Sequence, residues 1–550
     1  METVPYRLRE HVASTVNIVD ILTLLGYTVM LIGIASWHSR RIAGRDDYFL
    51  AGRSMSRWPI AMSMYVALFS TNTFIGVIGW VNRPDGTLWI GLQNIGIILA
   101  VPLVVALYPD IFFRLRISTA YEYLEKRFSY PVRAVAAVLF MGSRVMWMAT
   151  MLYGGGLVIS QLLGWTAANG VPSGHVYAVI LLGALGTFFA LGGGIRAVIW
   201  TDVAQFFVLF GAVVVMVVLA TARSGGPAHI LAVASGAGKF SPPQFFSFTD
   251  DLSIVSGLCL GLIGLLSSAG TDQVLLQTYL SARNVGEAKK SLWFNGLFLK
   301  PLSLIFPVLG VIIFAYFHEH PQEAALMRIA DDALPVFVLN VLPAGVRGLA
   351  IAALMSALLT SVGSGLAALS SSLQIDFVQR LMKRRLSERA AVRLGRTLTF
   401  LWGVVIVSAA MLVLRLGAKN NIIQILNIVM YPFAGVLLGI FLCGLLTRRV
   451  NSRGTLIGAL GGFALTMGVP RLHLGATLVD ATGVLFPPDL MSGLSWLSRV
   501  SNFYYGILGT MATLAVAYIA SLFFAPPRNE NLEGLTHARE SKRERVASQV

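Results

Sequence analysis

The sequence predicts an all-α polytopic membrane protein with about thirteen transmembrane helices. Of 550 residues, 56% are hydrophobic and only 12% are charged, and the mean hydropathy is +0.73. Soluble chains carry charge on about 25% of their residues, so a set of soluble domains is excluded. Apolar runs of the ~20 residues that span a bilayer recur along the chain.

The apolar runs give the order of the spans. They lie at roughly 16–37, 57–80, 88–112, 134–163, 175–193, 197–221, 253–280, 292–317, 347–375, 397–416, 422–446, 455–470 and 503–524. The first lies close to the N-terminus, and the twelfth is the shortest. The longest stretches between spans lie near 222–252, 318–346 and 471–502 and hold about 30 residues each, too few for an independent domain. Whatever the chain does is therefore expected to happen within the membrane.

Basic residues set the expected orientation. If the N-terminus lies outside, the inner loops and tail hold 29 Lys and Arg and the outer segments 10. Because basic residues collect in cytoplasmic loops, we expect residues 1–15 outside and the polar, disordered tail 525–550 in the cytoplasm of a multi-pass inner-membrane protein. The net charge of +16 is accordingly interpreted as contact with the lipid bilayer, with no nucleic-acid partner.

The second span contains a run of consecutive polar residues, Ser70 to Thr73, in an otherwise apolar helix. An amphipathic helix would space polar residues three or four apart. Four in succession favour a locally unwound helix that exposes carbonyls and hydroxyls to a cavity. A packed polar seam between helices is the alternative.

The seventh span has a similar interruption between Ser267 and Gln273. It lies five spans after the first interruption and runs in the opposite direction. Paired broken helices of this kind indicate an inverted five-helix repeat. The repeats are expected at 57–221 and 253–446, followed by C-terminal helices at 455–524.

Hydroxyl groups concentrate on the ninth span at Ser356, Thr360, Ser361 and Ser364. Together with the carbonyl of Ala357 they offer hard oxygen ligands of the kind that bind Na⁺ and other hard cations. Small residues at the same spacing also form close helix contacts, and that alternative stays open.

Three charged residues fall within or at the ends of spans. Arg144 lies ~16 Å into the fourth span, where it needs a carboxylate, carbonyls, water or an anionic substrate as partner. The sequence places Asp202 and Asp272 nearer the cytoplasmic end, so no acid is expected at the depth of Arg144. Asp202 could bind a cation or pair with Arg196, and Lys300 could line water.

Several strings together resemble the sodium:solute symporter family over about residues 17–450. They are DYFLAGRSM, FSTNTFIG, STAYEYLEKRF, GGGIRAVIWTDVAQ, GTDQVLLQTYLSARNVGEAKKSL and ALLTSVGSGLAALSSS. The resemblance implies a LeuT-like core of two inverted five-helix repeats with an extra N-terminal helix. It also implies Na⁺ as the co-transported ion.

The resemblance implies a principal sodium site, and some members of the family have another. The principal site takes carbonyls of Val66, Phe69 and Ala357 and the hydroxyls of Thr360 and Ser361. A second site takes Asp202, Thr360 and Ser364, with Gly363 where related proteins carry serine. Since glycine has no hydroxyl, one coupled sodium ion is expected.

The substrate pocket implied by the resemblance holds Ser70, Asn72, Thr73, Gln93 and Arg144. The stretch around Arg144 is similar to family members whose pocket arginine binds a carboxylate. An anionic sugar acid or monocarboxylate is therefore the preferred solute, with a neutral sugar close behind.

The function expected from these observations is sodium-coupled symport of a small solute by alternating access, with a monomer sufficient for transport. Two alternatives remain open: a proton-coupled carrier that uses Asp202, and a membrane sensor without net flux. An enzyme is not expected, because the sequence shows no nucleophile–base pair, metal cluster or phosphate-binding loop.

Overall fold

The structure is a computed structural model. It describes residues 17–39, 51–68, 71–117, 119–162, 165, 173–190, 195–382, 387–417, 421–482, 500–527 and 532–537.

Helices make up the regular structure of these ranges, as expected where backbone groups must find hydrogen-bond partners without water. In the first half they are α1 Ile18–Ser39, α2 Arg57–Leu68, α3 Thr71–Asn82, α4 Leu92–Leu107, α5 Pro109–Leu115, α6 Ala120–Arg127, α7 Tyr130–Leu162, α8 Gly174–Ala190, α9 Ile195–Arg223 and α10 Pro227–Gly236. In the second half they are α11 Ile254–Thr271, α12 Gln273–Leu280, α13 Val285–Phe294, α14 Ile305–Glu319, α15 Pro321–Ala324, α16 Ala333–Val341, α17 Val346–Ser372, α18 Gln379–Met382, α19 Glu388–Gly417, α20 Ile422–Val429, α21 Tyr431–Leu446, α22 Ser452–Thr482 and α23 Tyr505–Leu522.

Within the described ranges, eight helices are long and apolar enough to cross a membrane, or ten when two bent pairs are each counted as one span. The all-helical polytopic class is thus confirmed, and the count of thirteen stays a prediction.

The second span is bent, as the polar run predicts. Helices α2 and α3 meet at an angle of 51°. Phe69 and Ser70, which join them, lie outside the described residues.

The seventh span is also interrupted, at one residue. Asp272 has an extended backbone (φ −83°, ψ 122°) between the end of α11 and the start of α12. The interruption predicted between Ser267 and Gln273 therefore narrows to Asp272.

The eleventh span is bent as well, at a point that the sequence analysis did not identify. Helices α20 and α21 meet at 48°, with Met430 between them and Pro432 in the first turn of α21. Proline has no N–H to donate to the preceding turn and clashes with its carbonyl, which explains the break.

The helix at the twelfth span is longer than its apolar run, because α22 extends from Ser452 to Thr482 over 31 residues. One further expectation was wrong: the tail is not wholly disordered, since Leu532 and Leu535 are buried. The loop 222–252 contains the ten-residue helix α10.

Close helix contacts fix the frame around the broken spans. A Cβ on Gly261 of α11 would lie 1.8 Å from the Gln93 carbonyl oxygen of α4, and one on Gly96 would lie 2.1 Å from that of Leu258. Only glycine permits these approaches. Helix α1 docks on α17 through Asp20, which is 3% exposed and accepts the main-chain N–H groups of Gly345 and Gly348 at 2.8 and 2.9 Å.

Candidate functional site

The break in the seventh span carries an ion pair. Asp272 caps α12, because its Oδ1 accepts the N–H of Val274 at 2.8 Å. Its Oδ2 accepts Nη1 of Arg144 on α7 at 3.1 Å. The side chain of Arg144 is only 5% exposed, so its charge is held at the break, away from solvent.

This pair corrects the expectation that no acid lies at the depth of Arg144. Helix α7 begins at Tyr130, before the predicted span, and has 33 residues. It is therefore ~50 Å long, more than the ~30 Å hydrocarbon thickness. Because α7 is longer than the hydrocarbon thickness, a count from residue 134 does not fix the depth of Arg144, and it missed the contact with Asp272.

Two of the three guanidinium nitrogens have no partner among the described residues. Nε and Nη2 of Arg144 are buried, and neither has a hydrogen-bond partner in the described structure. These two nitrogens form one edge of the guanidinium plane, the geometry that binds a carboxylate through two parallel bonds. Gly365 of α17 lies beside this edge, since a Cβ there would stand 3.1 Å from Nε.

The hydroxyl face of α17 is partly described. Ser361 is 4% exposed, and its carbonyl accepts the hydroxyl of the half-buried Ser364 at 3.1 Å. The side chains of Ser356, Ala357 and Thr360 lie outside the described part of this helix. The principal sodium site therefore remains a prediction.

Position 363 has room for a side chain. A Cβ on Gly363 would find Ala190 Cα as its nearest neighbour, at 3.8 Å, which is ordinary van der Waals contact. The missing hydroxyl of the second predicted site is thus not excluded by packing.

The residues predicted on the first broken span lie on both sides of the break. Val66 is buried near the end of α2, 1% exposed, and Thr73 is half-buried in the first turn of α3. Phe69 and Ser70 lie outside the described residues, as does the side chain of Asn72. Gln93 is half-buried in the first turn of α4.

Asp202 does not pair with Arg196. Its carboxylate accepts the hydroxyl of Ser63 on α2 at 2.6 Å, and both side chains are buried. Arg196 instead donates to the Ala51 carbonyl at 3.1 Å and to Ser54 Oγ at 2.5 Å. Asp202 thus faces the first broken span. Lys300, expected to line water, is 5% exposed with its Nζ 4.8 Å from the ring centroid of Tyr65.

One half of each bent span, α3 in the second and α20 in the eleventh, meets an acid that the sequence reasoning missed. Asp331, in the segment between α14 and α17, is 1% exposed. It accepts the Ile422 N–H at the start of α20 at 2.9 Å and also the side-chain amide of Asn421. Asn421 donates to the Gly76 carbonyl of α3 at 3.3 Å. No spacing pattern distinguishes Asp331, because its partners come from distant segments.

A second buried network that the sequence reasoning missed surrounds Asp376. Asp376 is fully buried and accepts Nε of Arg133 at 2.9 Å and the hydroxyls of Thr119 and Ser372 at 3.2 and 2.7 Å. This cluster fixes the start of α7 against the end of α17. The sequence signal that could have identified this network is an acid that follows a long apolar span.

Helix α6 supports the break in the seventh span. Tyr121 donates its hydroxyl to the Thr271 carbonyl at 2.9 Å. The main-chain N–H of Ala120 donates to the side-chain oxygen of Gln273 at 3.0 Å. Both residues that flank Asp272 are therefore held from one short helix.

Comparison with known proteins agrees with this architecture. Two relatives are the "Sodium/sialic acid symporter NanT" of Aliivibrio fischeri (strain ATCC 700601 / ES114), 27% identical over 98% of this chain and 99% of the relative, and human "Sodium-coupled monocarboxylate transporter 1", 26% identical over 94% and 88%. A solved structure of a Na⁺-coupled sialic acid symporter, in a substrate-bound outward-open state, has a TM-score of 0.76 and 24% identity over 93% of this chain and 99% of that one.

The family model for the "Sodium:solute symporter family" matches residues 48–462, about three quarters of the chain. The proteins of this family are transporters, not enzymes, and the fold is the LeuT-like one. With broken spans, a buried arginine at one break and hydroxyls on the neighbouring helix, this chain belongs to the sodium:solute symporter family.

Proposed function

We propose that the protein couples the inward movement of Na⁺ to that of a small organic acid, a sugar acid or a monocarboxylate. The observation that carries the substrate class is the free Nε/Nη2 edge of Arg144. A carboxylate can accept both N–H groups of that edge at once. The names of relatives that carry sialic acid and monocarboxylates support this choice.

A neutral sugar is a second candidate, and the ion pair between Arg144 and Asp272 favours it. The carboxylate of Asp272 already balances the charge of Arg144 through Nη1, so a neutral solute leaves the pocket without net charge, whereas a bound acid brings one net negative charge into it. A co-bound Na⁺ offsets that charge, which makes sodium binding and acid binding mutually favourable. A neutral solute lacks this electrostatic source of coupling.

Sodium in this proposal binds between the end of α2 and α17. The ligands are the carbonyls of Val66, Phe69 and Ala357 with the hydroxyls of Thr360 and Ser361. Ser70, Asn72, Thr73 and Gln93 line the solute pocket beside it, and Asp202 with Ser364 forms an incomplete second sodium site. Hydroxyl and carbonyl oxygens suit a hard cation. The coupling is reciprocal, since each ligand raises the affinity of the other by the same factor.

Transport follows by rocking of two repeats about this site. We place the repeats at 57–221 and 253–446, with the N-terminus outside, the C-terminus in the cytoplasm and a single copy in the inner membrane sufficient. The membrane potential contributes ~2.3 kcal/mol per charge per 100 mV. Contacts of Asp331 with α3 and α20 then close one entrance, and opening it requires those contacts to break.

Uptake into proteoliposomes tests the proposal. With an inward Na⁺ gradient, we expect accumulation of an acid such as sialic acid or lactate, and none when K⁺ replaces Na⁺. The double substitution Thr360→Ala, Ser361→Ala should abolish sodium stimulation, because it removes both side-chain ligands. A matched control is Ser408→Ala, at an exposed serine of α19. Uptake driven by a pH gradient alone would instead support the proton-coupled alternative.

A further inference from the structure

Residues 532–537, here called the strap, return to the helical bundle after α23. Leu532 and Leu535 are 1% and 8% exposed, so the strap buries apolar side chains against the bundle. It is made by a polar region of the chain that the sequence alone suggests is disordered. The contacts of the strap explain why this polar region packs against the bundle.

The strap supplies hydrogen-bond donors to the ends of two spans. The His537 main-chain N–H donates to the Leu445 carbonyl at 2.8 Å, and the Thr536 hydroxyl reaches the same oxygen at 2.9 Å. The His537 ring Nε2 lies 2.9 Å from the Leu107 carbonyl oxygen. Leu445 is near the end of α21 and Leu107 ends α4. Carbonyls at helix C-termini lack partners within their own helix, so the strap satisfies them.

Two further bonds run from the bundle to the strap. Arg114 of α5 donates Nη2 to the Gly534 carbonyl at 2.6 Å. The buried Tyr123 of α6 donates its hydroxyl to the Leu535 carbonyl at 2.9 Å. The strap is thus bonded to α4, α5, α6 and α21 within six residues.

These helices belong to different moving parts under the proposed function. Helices α4 to α6 lie in the first proposed repeat, and α21 ends the second. A change of distance between the ends of α4 and α21 must break at least one of the two bonds made by His537. Beside the strap lies a cavity of about 460 Å³ lined in part by Lys126, Asn451 and Glu533, which leaves room on one side for it to detach.

We propose that the strap is a built-in clasp that holds the cytoplasmic ends of the two repeats together and slows the conformational cycle. The effect of the clasp on transport rests on the proposed function, but the clasp itself does not. His537, the last residue of the strap, is its positioning residue, since it bonds to one span from each repeat.

The test compares two truncations. Deletion of 538–550 keeps the strap, and deletion of 532–550 removes it, so the first is the matched control. Spin labels at Asp110→Cys and Leu446→Cys, both exposed, report the distance between α5 and α21 once Cys259 and Cys443 are replaced. We expect one narrow distance population with the strap and a broadened or second, longer population without it.

His537→Ala separates the clasp from a general loss of folding. It removes the bond to Leu107 and keeps the main-chain bond to Leu445, so we expect an intermediate broadening. Sodium-driven turnover should rise at least about threefold on loss of the strap. Identical distance distributions for the two truncations would overturn the clasp even if transport is normal. Absence of sodium-driven uptake in every variant, with the distances changed as expected, would overturn the proposed function and leave the clasp supported.

Discussion

At the scale of single residues, Arg144 has the most constrained chemistry. A guanidinium stays charged at physiological pH, and its burial beside α17 costs free energy unless every N–H finds a partner. Asp272 satisfies one nitrogen, and the edge with Nε and Nη2 remains. A bound carboxylate would supply the missing acceptors.

Arg144→Lys tests this edge and keeps a cation for Asp272. We expect the affinity for an acid solute to fall by about 10- to 100-fold, because charge-assisted hydrogen bonds contribute roughly 1.5–3 kcal/mol each and lysine cannot present two parallel donors. Isothermal titration in saturating Na⁺ measures the change. Sodium affinity without solute should stay the same. Normal transport of a neutral sugar by Arg144→Ala would show that the arginine is structural.

Gly363→Ser is expected to complete the second sodium site. Among the described residues, the nearest neighbour of the new Cβ stands at 3.8 Å, so we expect the serine to fit and its hydroxyl to add to those proposed for Thr360 and Ser364. We expect the number of sodium ions per solute to rise from one to two in a reversal-potential assay. Gly363→Ala, which adds the same Cβ without the oxygen, is the control. Two ions in the unchanged protein would contradict the prediction.

Residue types were easier to predict than their partners. The sequence identified Arg144 and Asp202 because charge is rare in apolar spans, but assigned neither its observed neighbour. Arg144 meets Asp272 and Asp202 meets Ser63, and each pair joins helices that are far apart in the sequence. Counting residues from an apolar boundary does not capture that.

At the scale of elements, the segment that carries Asp331 joins two of the bent spans. Helix α3 follows the bend of the second span and α20 precedes the bend of the eleventh, and Asp331 contacts both through Gly79, Ile422 and Asn421. The short segment that carries Asp331 thereby packs against the ends of α3 and α20 that lie away from the two bends. The absence of a side chain on Gly79 permits this close contact.

Gly79→Ala should keep this entrance open. A Cβ at position 79 would stand 2.2 Å from Asp331 Oδ1 and 2.8 Å from its Cα, so the segment cannot close on α3. We expect solute binding from that side to persist while turnover falls several-fold, measured as equilibrium binding and as uptake rate. Gly211→Ala on α9, with no neighbour within 4 Å, controls for the helix propensity of alanine. Equal turnover in both variants would remove this segment from the gating mechanism.

Breaks were predictable where polar residues mark them. The consecutive polar run in the second span and Asp272 in the seventh both coincide with a break. The break at Met430 was missed because its cause, Pro432, lies in an uninterrupted apolar run that contains no polar residue between Tyr431 and Leu446. Hydropathy alone therefore locates such a span and not its bend.

At the scale of the whole molecule, the basic residues predict which side each segment faces. Ser241 and Ser387 are both exposed and fall on opposite sides of the expected topology. In a background without Cys259 and Cys443, Ser241→Cys should react with a membrane-impermeant maleimide added outside intact cells. Ser387→Cys should react only after the cells are opened. The reverse pattern would invert the proposed orientation.

The ion pair between α1 and α17 has a consequence for the order of biosynthesis. Asp20 bonds to Arg347, which lies 327 residues later in the chain. At about 5–20 residues per second, the ribosome needs roughly 15 to 65 s to reach that partner. Until then Asp20 lacks the Arg347 guanidinium and the Gly345 and Gly348 N–H groups and keeps the local bond from the Asn17 N–H. The helix that is made first is thus the one whose docking must come late, after most of the bundle exists.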